Sequence, residues 1–532
     1  KDIGGSENYQ MYRYDMANGK ITLITDGQSR NTGGKWSNHT NQLAYESTRR
    51  TGKDTDIWVI NPTEPSSDHL LAELEGGGWS AIDWSPDDKK ILLIEYVSIN
   101  ESYLWILDVE KGKKTLITPK SGKEKVYYGS AAFSGDGDGL YVTTDLNSEF
   151  VRLAFIDLRT VRYKYTFLTE KMNWDVEEFA LSYDRSKIAF TTNERGVSIL
   201  HVLDLKTSEE IPLPKLPIGI LFGIIWHNNG NDIGFTMASP RSAYDAYSIN
   251  LKTGTLDRWT NSELGGLNAD TFSEPQLIQW KTFDGKEISG FLYRPPASFK
   301  GKRPVIIDIH GGPEGQAQPG FIGRDNYYLN ELGVAMIFPN VRGSSGFGKT
   351  FLKLDNGFLR ENTYKDIEAL LEWIRPQPEL DAERIMITGG SYGGHMALAI
   401  ATRYSDKIRC TVSVVGISNL VTFLENTSPY RQDLRRVEYG DERDPKMREY
   451  LLKIAPINNA EKIKKPLFII QGANDPRVPL SEAEQMLTTL KKIKTPAWYL
   501  VAKDEGHGFA KKQNQDFEFY ATVLFVKEFL LK

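Results

Sequence analysis

Cysteine is almost absent: Cys410 stands alone among 532 residues. No internal disulfide is available, so packing and hydrogen bonds must hold the fold. Histidine is scarce as well, with seven in the chain. They form no His-Glu-x-x-His motif and no compact Cys/His cluster, so zinc chemistry has no support and neither a metal nor a cofactor is expected. An excess of one charge is lacking too: 65 Lys+Arg against 70 Asp+Glu leave a net charge of −5. That balance speaks against nucleic acid as a partner. No apolar run reaches the roughly 18 to 20 residues of a membrane-spanning helix. Even Leu216 to Trp226 is short and broken by Pro217 and glycines, so no membrane partner is expected. The chain begins at Lys1 with no methionine, basic leader or apolar segment. This reads as a trimmed start, and it leaves the compartment open between cytoplasmic and exported. Oligomeric state is equally open, a homo-oligomer included.

What is present is ample core material, with 40% hydrophobic and 11% aromatic residues, arranged in repeats. Trp36-Ser37-Asn38, Trp84-Ser85-Pro86-Asp87, Phe133-Ser134-Gly135-Asp136, Leu181-Ser182-Tyr183-Asp184 and Trp226-His227-Asn228-Asn229 start 48, 49, 48 and 45 residues apart. A second series is Tyr14-Asp15, Ile60-Asn61, Leu107-Asp108, Ile156-Asp157, Leu203-Asp204 and Ile249-Asn250, spaced by 46, 47, 49, 47 and 46. Two interleaved series with one period of about 47 residues, built from β-type runs and Asp/Asn/Gly turns, predict four-stranded blades of a β-propeller. Six or seven blades are expected. The first is incomplete, because Asp15 has no preceding partner of the Trp-Ser type. Trp36, Trp84 and Trp226 are expected to pack between blades, and Asp136-Gly137-Asp138-Gly139 to be a plain turn rather than a calcium loop.

After Thr260 the period stops, and from about Gln276 apolar strands alternate with amphipathic stretches. The expected organisation is a β-propeller over residues 1–265 and an α/β-hydrolase domain over 266–532. The latter has a doubly wound, mainly parallel sheet with strands at Val305 to Ile309, Val334 to Phe338, Arg384 to Thr388, Thr411 to Val415, Leu467 to Ile470 and Trp498 to Val501. Ligands of such a sheet bind at the carboxyl ends of its strands.

One of those ends carries Gly389-Gly390-Ser391-Tyr392-Gly393-Gly394, between an apolar strand and a helical stretch. That context is the one a nucleophile elbow requires, with Ser391 as nucleophile. In this fold the acid and then the histidine follow the serine. Only His395 and His507 do so; His395 lies within the elbow helix, which leaves His507, in a glycine-bracketed loop, as the base. Asp475, on the loop after Leu467 to Ile470, is the acid that best reaches the imidazole from a separate loop. Asp504 and Glu505 are rivals by type but sit too near His507 in sequence. Backbone N–H groups of Tyr392 and of Gly312, in His310-Gly311-Gly312-Pro313, are the expected oxyanion hole. His310 is read as a loop-shaping residue.

These motifs, with Asn340-Val341-Arg342-Gly343-Ser344-Ser345-Gly346, Asp475-Pro476-Arg477-Val478-Pro479 and Gly506-His507-Gly508, resemble the prolyl oligopeptidase family of serine peptidases, particularly its acylaminoacyl peptidase and aminopeptidase-like branches. The resemblance covers nearly the whole chain. It implies Ser391, Asp475 and His507 as the triad, and a propeller that caps the catalytic face and admits peptides. It also implies that Arg477 binds a substrate carbonyl. Tyr392, Ile417, Leu420, Phe423 and Val478 match positions that line a specificity pocket for an apolar residue. Leu420 stands where proline-selecting relatives carry an aromatic residue, which argues against strict proline specificity. Glu177 and Glu178 are read as surface glutamates of a repeat strand rather than as an amine-binding pair. The expected activity is exopeptidase cleavage of short peptides. The alternatives are an oligopeptidase, a carboxylesterase using the same triad, and a non-catalytic scaffold.

Overall fold

The computed structural model describes residues 1–120 and 124–532. Up to Arg258 the chain forms six small antiparallel sheets, each a meander of consecutive strands. The first has two strands, Tyr12–Tyr14 and Ile21–Leu23. The sheets that begin at Asn31, Trp79, Tyr128 and Ile220 have four strands each. The sheet that begins at Asp175 has three.

The first strands of the five larger sheets, Asn31–Trp36, Trp79–Trp84, Tyr128–Phe133, Asp175–Leu181 and Ile220–Trp226, each touch the next in chain order, as the inner strands of a propeller do. The sequence motifs are the turns that close these strands. Ser85, Ser134 and Ser182 hydroxyls donate to Asp87, Asp136 and Asp184 at 2.7, 2.5 and 2.7 Å. Each hydroxyl also accepts the N–H five residues on, from Lys90, Gly139 and Lys187, at 2.9 Å. The second series closes the third strand of each larger sheet. In the first sheet it closes Tyr12–Tyr14, so that sheet holds only the counterparts of third and fourth strands.

Trp84 and Trp226 are buried, and their indole N–H groups donate to the preceding sheet, at Lys35 O and Ala180 O, both 2.9 Å. Trp36 departs from the expectation: it is 60% exposed. The sheet before it has no inner strands to cover the ring. After Asp204, Pro212, Pro214 and Pro217 remove the N–H groups that a fourth strand would need, and only a bridge between Leu203 and Glu210 remains.

The C-terminal sheet has eight strands: β1 (Gln276–Lys281), β2 (Glu287–Tyr293), β3 (Arg303–Ile309), β4 (Ala335–Asn340), β5 (Leu380–Gly390), β6 (Cys410–Val414), β7 (Leu467–Gly472) and β8 (Ala497–Ala502). Their order is β1-β2-β4-β3-β5-β6-β7-β8. From β4 to β8 all neighbours are parallel; β1 and β2 add an antiparallel edge that the apolar-run reading missed, because their polar residues alternate with apolar ones. Side chains of the central strands alternate between two cores. Val305, Ile307, Ile309, Ile385 and Ile387 enter one, and Ile306 and Met386 the other. Both faces are therefore covered, as a parallel sheet requires. The helices that matter below are α1 (Glu361–Ile374), α2 (Tyr392–Arg403), α3 (Leu420–Asn426) and α4 (Pro429–Tyr439).

The two domains meet through polar contacts. Thr350 donates its N–H and hydroxyl to Glu149 at 2.8 and 2.7 Å, Asn193 donates to Gln316 at 2.6 Å, and Lys349 pairs with Glu124. Among the described residues no helix is long and apolar enough to cross a membrane.

Candidate active site

Ser391 lies between β5 and α2 with φ +59° and ψ −117°. This is a sparsely populated conformation for a side-chain-bearing residue, and it turns the serine off the sheet. Two glycines make the turn fit. A β-carbon at Gly389 would stand 2.5 Å from Ile309 O, and one at Gly393 only 1.9 Å from the same atom. The Ser391 N–H donates to Val414 O at 2.9 Å, which ties the elbow to β6.

Asp475 and His507 arrive on the loops after β7 and β8. Asp475 Oδ2 lies 2.7 Å from His507 Nδ1, and the carboxylate side chain is fully buried. Its other oxygen accepts the N–H groups of Arg477 (2.8 Å) and Val478 (2.9 Å), and Gln471 donates to Oδ2 at 3.2 Å. These donors hold the carboxylate in place for the imidazole. With Nδ1 occupied, Nε2 of His507 is the nitrogen available to a serine hydroxyl. Asp504 and Glu505 are engaged elsewhere, Asp504 with Lys511 and Asn514, and Glu505 with the N–H groups of Ala510 and Lys511.

The loop after β3 passes beside the elbow: a β-carbon on Gly311 would stand 3.4 Å from Ser391 Cβ and 3.0 Å from Gly390 O. Gly312 has φ +130°, and its carbonyl accepts from the Tyr439 hydroxyl at 3.2 Å. His310 Nε2 lies 2.7 Å from Ser344 Oγ, a contact that bridges two loops, and burial lowers the histidine pKa. His395 is wholly buried between Tyr364 Oη (2.7 Å) and Ile417 O (2.9 Å), with its pKa pushed down to about 4 by burial.

The residues that match the family's specificity-pocket positions are buried. Ile417, Leu420, Phe423 and Val478 are at most 2% exposed and belong to one apolar cluster with Tyr392 and Tyr439, so they present almost no surface to a ligand in this conformation. Arg477 is 44% exposed at its side chain, and its Nε donates to Glu7 at 2.5 Å. Glu7 is buried, accepts also from the Tyr430 hydroxyl, and belongs to an N-terminal segment packed on these loops; Gly4 O accepts from Asn474 at 2.8 Å.

Glu177 is exposed, as expected of a surface glutamate, but its carboxylate is engaged. It accepts from Asn193 (2.8 Å) and Ser198 (3.3 Å), and Asn193 in turn donates to Gln316, four residues beyond Gly312. A cavity of about 180 Å³ between the domains is lined by Asp145, Glu149, Asp175 and Glu177, with Lys349, Ser345 and Gly346 beside them. Burial pushes Asp145 and Asp175 up to about 6 each. The sequence pairs Glu177 with its neighbour Glu178 but gives no sign of Asp145 and Glu149, which come from the preceding repeat.

Residues 320–532 match the model of the prolyl oligopeptidase family. The chain is 35% identical over 284 residues to dipeptidyl aminopeptidase BIII of Pseudoxanthomonas mexicana, covering 50% of this chain and 40% of that one. It is 36% identical over 214 residues to dipeptidyl peptidase family member 6 of Caenorhabditis elegans, covering 40% of this chain and 29% of that one. The chain thus spans two fifths or less of these relatives. In overall fold it is similar to a puromycin hydrolase, with a TM-score of 0.85 at 19% identity over 97% of this chain and 83% of the other. Residues 320–532 are thus similar to the prolyl oligopeptidase family, and the relatives by sequence are named as peptidases.

Proposed function

We propose that the chain is a serine exopeptidase acting on short peptides with a free amino terminus. The observation that carries the peptidase reading is the 2.7 Å pair of His507 and Asp475 on the loops after β7 and β8, together with the strained Ser391 elbow after β5 of the same sheet. His507 Nε2 takes the Ser391 proton as Oγ attacks the peptide carbonyl. The N–H groups of Tyr392 and Gly312 receive the oxyanion, and Asp475 stabilises the imidazolium. His507 then protonates the leaving amine, and water hydrolyses the acyl-enzyme by the reverse sequence.

The acidic cavity between the domains supports the finer reading, since Glu177, Asp145 and Asp175 favour an ammonium group over an acylated amine. Arg477 exchanges its contact with Glu7 for a carbonyl of the substrate. The propeller, read as six blades with the first incomplete, restricts access to short or flexible chains.

The test is kcat/KM on matched chromogenic substrates with a free, an acetylated and a peptide-extended amino terminus, with Ser391→Ala as the blank. The expected order places the free amine first. A preference for the extended substrate would make the protein an oligopeptidase, and turnover of esters alone a carboxylesterase. Ser391→Ala is expected to lower kcat by about 10⁴-fold to 10⁶-fold.

A further inference from the structure

A buried cation lies behind the two expected oxyanion donors. Arg360, at the start of α1, is 0% exposed. Its Nη1 donates to the Tyr392 hydroxyl at 3.0 Å and pairs with Asp355, while Nη2 donates to Glu438 O at 2.9 Å. The guanidinium carbon lies 5.0 Å from the centre of the Tyr392 ring and 5.1 Å from that of Tyr439. The two rings meet edge-on at 5.9 Å. Tyr439 then donates its hydroxyl to Gly312 O at 3.2 Å, and Arg435 Nη1 approaches the same carbonyl at 3.4 Å.

Taking a guanidinium and a carboxylate wholly out of water is costly, and an apolar pair of the same volume often serves stability as well or better. Stability alone therefore gives a weak reason for Arg360 and Asp355. Geometry gives a stronger one. Tyr392 supplies one oxyanion N–H from its backbone, and its phenol is held by Arg360. Gly312 supplies the other, and its carbonyl is held by Tyr439, whose ring packs on the same guanidinium. Oxyanion stabilisation depends on donors fixed before charge develops, so the separation of these two N–H groups matters directly to rate.

We propose that Arg360 is a positioning residue that sets the separation of the two oxyanion donors, holding Tyr392 directly and Gly312 through Tyr439. The inference rests on the peptidase reading above. It assigns Arg360 and Tyr439 no contact with substrate.

Tyr439→Phe tests it with the least disturbance, because only the hydroxyl is lost. We expect kcat to fall about 10-fold with KM within about two-fold of wild type, an effect of the size seen when a supporting group is removed. The affinity for a peptide aldehyde, whose hemiacetal oxygen occupies the hole, falls by the same factor as kcat/KM. The unfolding midpoint stays close to wild type. Arg360→Lys, which keeps the charge but loses the planar fork, gives an equal or larger fall with the same signature. Unchanged kcat and aldehyde affinity in Tyr439→Phe overturn the proposal, as does a fall in kcat without a matching loss of aldehyde affinity. Fluorophosphonate labelling of wild type separates this failure from that of the parent reading: if Ser391 labels and Tyr439→Phe is unaffected, only the positioning role falls. If Ser391 does not label, both fall.

Discussion

Two kinds of strand-ending serine divide the molecule. Ser85, Ser134 and Ser182 close inner strands of the propeller, and their hydroxyls are consumed by the turn, donating to an aspartate and accepting an N–H. Ser391 closes a strand of the catalytic domain, and its turn is made by strained backbone and close-packed glycines. Among the described residues no hydrogen bond engages its hydroxyl. The same residue type at the same kind of position is used in opposite ways: the propeller commits the side chain to stabilise the backbone, and the catalytic domain strains the backbone to free the side chain. Consequences should therefore be concentrated in single residues of one domain and shared among equivalent repeats of the other.

The sharpest test is Asp475→Asn. The amide keeps the shape of the carboxylate but removes its charge and disturbs the tautomer of His507. We expect kcat to fall about 10⁴-fold with little change in unfolding midpoint. Steady-state kinetics and urea unfolding on the same preparation check both halves.

Next in size is Gly393→Ala. Its β-carbon would stand 1.9 Å from Ile309 O and 2.9 Å from Ile309 C, both backbone atoms that have no easy escape. A loss of about 3 kcal/mol or more is expected, from overpacking that backbone must absorb. Gly390→Ala, three residues earlier and facing open space, is expected to leave stability nearly unchanged. Equal urea midpoints for the two variants would break the argument that close approach fixes Gly393.

A third test concerns the cavity of about 480 Å³ on the other side of the sheet, where Asp308, Asp325 and Glu518 face Arg324 and Tyr328. Burial and then the neighbouring Asp308 push Asp325 up to about 7. The unfolded chain releases this proton near the ordinary aspartate value, whereas the folded chain keeps it to about 7. The folded state binds more protons across that window, so stability falls as pH rises through it. Asp325→Asn has no such loss. Relative to wild type it should gain about 4 kcal/mol between about pH 4 and about pH 8, as read by urea unfolding. A stability difference that is the same at both pH values would show that Asp325 does not titrate in this way.

What was legible in the sequence follows the same division. The propeller turns were legible because each is local and recurs, and the elbow because its glycines and serine are adjacent. Asp475 and His507 were reached through chain order. The burial of Leu420 and Phe423 was not legible, since an apolar residue near a site looks the same whether it lines a pocket or fills a core. Trp36 was misread because its exposure depends on strands missing from the neighbouring sheet. Arg360 and Tyr439 carried no local signal: Tyr439 meets Gly312 across 127 positions and Arg360 meets Tyr392 across 32. The strand-and-loop topology brings them together, and no spacing rule announces it.

The smallest expected effect belongs to the propeller. Ser134→Ala removes the donor to Asp136 and the acceptor for Gly139 N–H in one of three equivalent turns. Asp136 retains the N–H of Asp138, so the turn is weakened rather than lost. A cost of about 1 kcal/mol is expected, the usual size for a hydrogen bond at a partly solvated turn. Because the turn lies in a different sheet from every residue of the elbow, kcat/KM should stay within about two-fold of wild type. Ser85→Ala and Ser182→Ala should cost similar amounts. A large loss of activity in any one of the three would mean that the repeats are not equivalent, and that this blade acts on the catalytic domain directly.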